Sequence, residues 1–149
     1  MTDIQILVGS VFGGALMTAR KLKEELSSDQ VSVTVHEKPT LASLTDTTGP
    51  VLVCTSTTGQ GEIPESLLPF YVELRDTLPM QEGRPFGVIV LGDSSYGDTF
   101  CGAGELMEEA LMEVAARKVG ETLRIDAMET VEPEEDALPW AREWVSQVV

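Results

Sequence analysis

The stretch PFGVIVLGDSSYGDTFCGAG, residues 85–104, decides the fold class of this chain. Its first part, 85–92, is rich in aliphatic and β-branched residues and predicts a buried strand. The loop that follows, LGDSSYGDTFCGAG (91–104), has the Gly, Asp and Ser that turns need, but also two aromatic rings and a cysteine. A turn does not need rings, so the loop indicates a place where something flat lies. ELMEEALMEVAARK (105–118) then predicts a helix.

The same alternation of strand and helix continues on both sides of this stretch. Further apolar runs predict strands over residues 4–9, 31–37, 50–56 and 120–127. Helices are predicted over residues 14–26 and 64–78 and in the tail segment EEDALPWAREWVSQVV. Pro69 predicts a late start or a kink in the second of these helices.

Alternating strands and helices predict a parallel sheet covered by helices on both faces, since the crossovers are right-handed. The strand 31–37 alternates apolar and polar residues, which is typical of a half-exposed edge strand. We therefore predict one α/β domain over residues 1–149, a three-layer sandwich around a five-stranded parallel sheet. The strand order is 2-1-3-4-5, with a binding crevice at the carboxyl ends of strands one, three and four.

The amino-acid composition limits the kinds of binding partner and the cellular compartment that we expect for this protein. The formal net charge of −15 over 149 residues disfavours nucleic acid and favours basic protein partners, which the charge would steer toward the protein. Two cysteines do not make a disulfide framework, and the first ten residues have no basic segment of a signal peptide. No apolar run reaches membrane-spanning length. We expect a monomeric cytoplasmic protein without membrane contact.

Three polar loops leave the carboxyl ends of the predicted strands, at residues 9–15, 55–62 and 91–104. The first, GSVFGGA, is rich in glycine and opens a helix, so its N–H groups can surround a phosphate. It has neither the lysine of a P-loop nor the spacing of GxGxxG. A single phosphate held by neutral donors fits it better than a triphosphate.

The other two loops add hydroxyls, glycines and rings. TSTTGQGE (55–62) offers hydroxyl contacts for a phosphate or a ribityl chain, and its two glycines let a peptide approach a ligand closely. In the third loop, Tyr96 and Phe100 are candidates for ring contacts, and Asp93 either binds a polar ring edge or stabilises the turn. A phosphate pocket, a glycine loop and an aromatic loop together predict a site for flavin mononucleotide (FMN).

The chain resembles the short-chain flavodoxins over nearly its whole length, and most closely their MioC-like branch. The resemblance is carried by GDSSY followed by FCGA, by STTGQGE, and by the GSVFGGA loop. It implies a flavodoxin-like fold in which the peptide of Gly59 lies beside flavin N5 and favours the one-electron-reduced state. The positions implied to bind FMN are Ser10, Val11, Phe12, Gly13, Gly14, Ala15, Ser56, Thr57, Thr58, Gly59, Gly61, Gly92, Asp93, Tyr96, Phe100 and Cys101.

Some residues depart from the common flavodoxin pattern. Phe12, Gly14 and Ala15 replace polar residues of the phosphate loop, so phosphate binding has to depend on Ser10 and on backbone N–H groups. Thr58 stands where many flavodoxins have an aromatic residue. Tyr96 is then the main ring candidate, with Phe12 or Phe100 as alternatives. Gly97 extends the third loop by one residue relative to many members of the family.

The resemblance implies a non-enzymatic electron carrier, with neither catalytic nor metal-binding residues, that moves single electrons between a flavodoxin or ferredoxin reductase and acceptor enzymes with basic docking faces. The carboxylates Glu62, Glu65, Asp93 and Asp98 would disfavour negative charge on the reduced flavin. Two alternatives stay open, an FMN-dependent quinone reductase and a flavin-free interaction module. A response regulator is disfavoured, because Ser10 and Ser56 stand where it needs acidic residues.

Overall fold

The computed structural model describes residues 2–11, 13–58, 61–92, 101–126, 129–130 and 132–149. Strands and helices alternate along the chain. The strands are β1 (Thr2–Gly9), β2 (Val31–His36), β3 (Val51–Ser56), β4 (Pro85–Gly92), β5 (Arg117–Lys118) and β6 (Leu123–Asp126). The helices are α1 (Gly14–Leu26), α2 (Leu41–Thr45), α3 (Leu68–Thr77), α4 (Gly102–Glu113) and α5 (Pro133–Val148).

The strands pair in parallel in the predicted order 2-1-3-4-5, which confirms the fold class. Within the described residues, β2 lies at one edge and is followed by β1, β3 and β4. β5 pairs with the first two residues of β4, and β6 pairs with its last four. Two short strands therefore share the fifth position, where the sequence predicted one strand over 120–127.

The predicted helix 105–118 is displaced in the structure. α4 begins earlier, at Gly102, and ends at Glu113. Ala115 adopts a left-handed backbone with φ of 62°, which stops the helix and turns the chain back to the sheet. Alanine and arginine favour helices, so composition alone does not mark this break. Residues 117–118 are therefore β5 and not the last turn of a helix.

The remaining elements follow their hydrophobic patterns closely. α1 and β4 have the predicted bounds, and α3 starts late, at Leu68, with Pro69 in its first turn as expected. The short helix α2 was not predicted, because five residues are too few to show a period. None of the helices within the described residues has the length and apolar character needed to cross a bilayer.

Both faces of the sheet are buried. On one face Ile4, Ile6 and Val8 of β1 pack toward α1 and α5, and on the other Leu7 packs toward the α3 and α4 side. This alternation is what a parallel sheet between two helical layers requires. The sheet is consequently fixed in position from both sides.

Trp144 of α5 packs closely on the middle of β4. The side chain is 2 % exposed and its ring stacks on that of Trp140, with centroids 6.2 Å apart. A methyl group built on Gly87 would lie 2.4 Å from Trp144 Nε1 and 2.8 Å from Cε2. The absence of a side chain at Gly87 therefore lets the indole lie against the strand.

We expect Gly87→Ala to destabilise the protein by about 1–3 kcal/mol, because the added methyl overpacks the core against the indole. Urea unfolding would measure the loss. The same substitution in a Trp144→Phe background should cost clearly less, since the smaller ring leaves room. Equal costs in the two backgrounds would show that the indole is not the obstacle.

Candidate functional site

The ends of β1, β3 and β4 lie side by side at one edge of the sheet. Gly9 pairs with Thr55, and Ser56 pairs with Leu91, one residue before the end of β4. The three loops singled out in the sequence therefore leave the sheet at neighbouring points. A methyl group built on Gly14 would lie 3.5 Å from Leu91 Cδ2, so α1 begins close to the end of β4.

The first loop is shaped by two serine hydroxyls. Ser10 N–H donates to Ser66 Oγ (3.1 Å), and Ser66 Oγ donates back to Ser10 O (3.3 Å). Gly13 N–H donates to Ser10 Oγ (2.9 Å). Gly13 then turns into α1 with a left-handed φ of 87°. The loop is thus held by its own hydroxyl and by one from the segment before α3.

The N-terminus of α1 has no side-chain cap. Gly13 at the N-cap has no side chain, and the first turn contains no acidic residue. The N–H groups of a first turn have no partner within their helix, and the helix dipole adds partial positive charge there. Ala15 is fully buried, so its side chain packs in the core and is not a ligand contact. These features fit an anion such as a phosphate.

The second loop is closed like a small hairpin. Thr58 N–H donates to Glu62 O (2.9 Å), and Glu62 N–H donates to Thr58 O (2.8 Å). Gly61 in this hairpin has a left-handed φ of 93°. Gly59, the residue expected beside flavin N5, lies outside the described residues.

The side-chain hydroxyl of Thr57 is an unsatisfied hydrogen-bonding group among the described residues. Its Oγ1 is buried and makes no hydrogen bond within the part of the chain that the structure describes. A buried hydroxyl without a partner costs about 1–3 kcal/mol, so a ligand oxygen at this place would gain from accepting or donating a hydrogen bond. Thr57 directly follows β3, and its phosphate or ribityl contact stays a prediction.

The third loop is described only at its two ends. Gly92 ends β4, and Cys101 precedes α4 with a left-handed φ of 60°. Phe12, Asp93, Tyr96 and Phe100, which are predicted to contact the ligand, fall outside the described residues, as do Gly97 and Asp98.

Neither cysteine has the environment of a reactive thiol. Cys101 is 1 % exposed, its Sγ lies 3.7 Å from Val90 O, and burial raises the pKa of the thiol to about 11. Cys54 is fully buried, and burial raises the pKa of its thiol to about 12. Reactive cysteines need a thiolate, which these pKa values suppress. Both therefore act as packing residues.

An open cleft of about 670 Å³ lies between the first loop and the hairpin. Its lining brings together three of the expected residues, Ser10, Val11 and Thr58, with the two exposed carboxylates Glu62 and Glu65. The sequence reasoning did not select the other lining residues, which are Ile63, Ser66 and Leu68. Ser66 and Leu68 belong to the stretch 64–78, which was predicted to be a helix, and Ile63 directly precedes it. Nothing local marks these residues as part of a cleft.

A doubly wound parallel sheet with an uncapped helix N-terminus and a glycine hairpin at the carboxyl ends of its central strands defines a flavodoxin-like α/β protein. The chain belongs to the flavodoxin family, which matches residues 6–140, and to its short-chain, MioC-like branch.

The relatives cover the chain almost completely. It is 42% identical over 149 residues to Flavodoxin YqcA of Pectobacterium carotovorum, covering 99% of this chain and 98% of the relative. It is 38% identical to protein MioC of Escherichia coli K12, with 98% of each chain covered. Among solved structures, a cysteine-to-serine mutant of flavodoxin from Pseudomonas aeruginosa is 44% identical, with a TM-score of 0.92 and 99% of both chains covered.

The contribution of the Ser66 hydroxyl to the stability of the first loop can be measured. We expect Ser66→Ala to lower the free energy of unfolding by about 1 kcal/mol, because the Ser10 N–H and carbonyl both lose their partner. Amide hydrogen exchange at Ser10 should become faster. Ser28→Ala is the control, since Ser28 Oγ also accepts backbone N–H bonds, from Gln30 and Val31, but in a turn far from the cleft. Unchanged exchange at Ser10 in Ser66→Ala would contradict the role.

Proposed function

We propose that this protein binds one FMN non-covalently at the carboxyl ends of β1, β3 and β4 and carries single electrons between a reductase and acceptor enzymes. Membership of the flavodoxin family supports the class of function. The observation that carries the proposal for this chain is the buried Thr57 Oγ1 without a partner, together with the N-terminus of α1, which has no side-chain cap. Both are polar groups that a phosphorylated ligand would satisfy.

The phosphate end of the ligand would be held by α1 and the first loop. The first-turn N–H groups of α1 point out of the helix end, and Ser10 and Ser66 hold the loop that leads into them. No lysine or arginine lies in residues 9–15. The chain therefore contributes neutral donors and the partial charge of the helix dipole there.

The ring end would lie toward the hairpin and the third loop. Val11 is 49% exposed and Leu68 is 41% exposed, and both line the cleft, so they offer apolar contact to a flat ring and would exclude water from its edge. The N–H groups of Thr58 and Glu62 already donate to each other's carbonyl oxygens. Among the expected ring contacts, Tyr96 stays a prediction.

When bound, FMN supplies the redox chemistry, accepting and releasing electrons one at a time. The chain's own residues set the conditions for it. Glu62 and Glu65, exposed at the cleft, raise the cost of added negative charge nearby. Cys54 and Cys101 are protonated at neutral pH, so their thiols do not compete in redox steps. The same carboxylates make the rim of the cleft negatively charged, which would favour the approach of a basic partner protein.

Thr57→Val should have opposite effects on the apoprotein and on the FMN complex. The apoprotein should gain about 1 kcal/mol of stability, because a buried hydroxyl without a partner is replaced by a methyl group of similar shape. The affinity for FMN should fall about threefold to tenfold, the worth of one hydrogen bond. Fluorescence titration and urea unfolding measure the two effects.

Riboflavin, which lacks the phosphate, is the matched control ligand. The wild-type protein should bind FMN with 1:1 stoichiometry and riboflavin far more weakly. If Thr57→Val weakens FMN binding alone, the hydroxyl contacts the phosphate; if it weakens both, it contacts the ribityl chain. Equal affinities of the wild type for the two flavins would contradict the assignment of the first loop, and a wild type that binds neither would contradict the proposed function.

Electron transfer to a basic partner should slow as salt is added, because exposed charges act mainly on the rate of encounter and are screened beyond about 8 Å at physiological salt. Stopped-flow measurement of the bimolecular rate against ionic strength tests this. Replacing Glu62 and Glu65 by glutamine should reduce the slope.

The matched control removes two exposed charges at the opposite end of the strands, by Asp29→Asn and Glu82→Gln. It changes the net charge by the same amount and should leave the slope nearly unchanged. Equal slopes for both double variants would show that the partner responds to total charge and not to the cleft rim.

A further inference from the structure

Two glycines from different loops meet at the site, backbone against backbone. A methyl group built on Gly102, the first residue of α4, would lie 2.8 Å from Gly61 Cα, 3.0 Å from Gly61 O and 3.3 Å from Gly61 C. Real Cβ atoms do not approach backbone atoms this closely, and a backbone cannot rotate away as a side chain can. Only glycine at residue 102 allows this approach.

Conformation at Gly102 itself does not require glycine. The left-handed residues among the described part of the chain include Gly61 and Cys101, but not Gly102. Alanine is also the better residue in a helix. The feature that excludes a side chain at residue 102 is therefore its contact with the hairpin.

The start of α4 is held against the sheet. Cys101 is buried at the N-cap of α4, its thiol is directed to Val90 O of β4, and Gly104 N–H donates to Cys101 O (3.0 Å). The left-handed backbone of Cys101 is uncommon for a residue with a side chain, so the surrounding packing holds Cys101 in this conformation. Gly102 consequently presents a fixed surface to the hairpin.

The hairpin, in turn, has little freedom to move away from that surface without changing the cleft. Thr58 and Glu62 are joined by two backbone hydrogen bonds and both line the cleft, with Gly61 next to Glu62 in the same turn. A displacement of Gly61 is therefore passed to Thr58 and Glu62, or breaks the bonds between them.

We propose that Gly102 is a positioning residue that sets how far the 58–62 hairpin stands from α4, and so sets the shape of the cleft at the ring end of the flavin. This inference rests on the proposed function, since the flavin is the ligand whose ring the hairpin borders. Gly102 acts through Gly61, by leaving room for its backbone.

The test is Gly102→Ala. In the apoprotein, amide hydrogen exchange at Thr58 and Glu62 should become faster, because the added methyl pushes the hairpin outward and weakens its paired hydrogen bonds.

With flavin, the affinities for FMN and riboflavin should fall by the same factor, roughly threefold to tenfold if about one hydrogen bond's worth of contact is lost. The FMN-to-riboflavin ratio should stay that of the wild type, because the phosphate end is untouched. The separation between the two one-electron potentials of bound FMN should also change.

Gly104→Ala is the matched control. It adds a methyl group to the same helix, where the nearest atom would be Val90 Cγ1 at 2.8 Å, so it strains α4 from the sheet side and away from the hairpin. Gly104→Ala should lower the free energy of unfolding. The exchange rates of Thr58 and Glu62, each divided by the average rate of the rest of the protein, should stay as in the wild type. The same hairpin changes in both variants would overturn the proposal, since any disturbance of α4 would then suffice.

Further outcomes separate this inference from the proposed function. If the wild type binds FMN and Gly102→Ala leaves hairpin exchange, both affinities and the potentials unchanged, the positioning role is wrong and the function stands. If the wild type binds no flavin, the proposed function fails, and with it the flavin part of the inference. Should Gly102→Ala not fold, proton NMR of the wild type still decides: an Hα–Hα cross-peak between Gly61 and Gly102 is expected, and its absence overturns the contact.

Discussion

The parallel pairing of β1, β3 and β4 is the constraint on which the candidate site depends. Their registers bring Gly9, Ser56 and Gly92 to one edge of the sheet. A slip of one residue would turn every side chain of a strand to the opposite face. Because both faces are buried under helices, such a slip would misplace the cores on both sides at once. Core packing therefore fixes the position of the three loops.

The same close packing continues into the loops. A methyl group built on Gly9 would lie 2.4 Å from Thr55 Oγ1 and 2.9 Å from Leu67 Cβ, so the last residue of β1 is confined between β3 and the segment before α3. Ser66 in that segment bonds the next residue of the first loop. The loop geometry thus results from contacts between segments that are distant in sequence, and each of these contacts is made by a small residue.

Hydrophobic patterns were sufficient to predict the fold, and insufficient to predict the contacts inside the site. The bounds of β4 and α1 follow from an unbroken apolar run and from a helical period, which are local properties. The end of α4 was missed because it depends on the left-handed backbone of Ala115, a residue type that favours helices. Ser66 and the Gly61–Gly102 approach were missed because each joins positions about 40 or more residues apart, and no local signal distinguishes a glycine in close contact from one in an open turn. The aromatic part of the site stays a prediction from the sequence.

The high negative charge and the proposed phosphate ligand are compatible for a physical reason. Screening limits each exposed carboxylate to a range of about 8 Å at physiological salt, so most of the formal charge of −15 does not reach the first loop. The charges near the loop therefore matter most: the first turn of α1 has no acidic residue, and the nearby carboxylates Glu62 and Glu65 lie on other segments that line the cleft. Without a lysine or arginine in residues 9–15, the attraction for a phosphate has to come from N–H groups in fixed directions. Hydrogen bonds depend steeply on angle, whereas the attraction between two charges does not. The affinity of such a site for the proposed phosphate depends on how firmly its loop is held. We therefore expect the neutral contacts of Ser10, Ser66 and Gly13 to matter more for affinity than the charge of the whole protein.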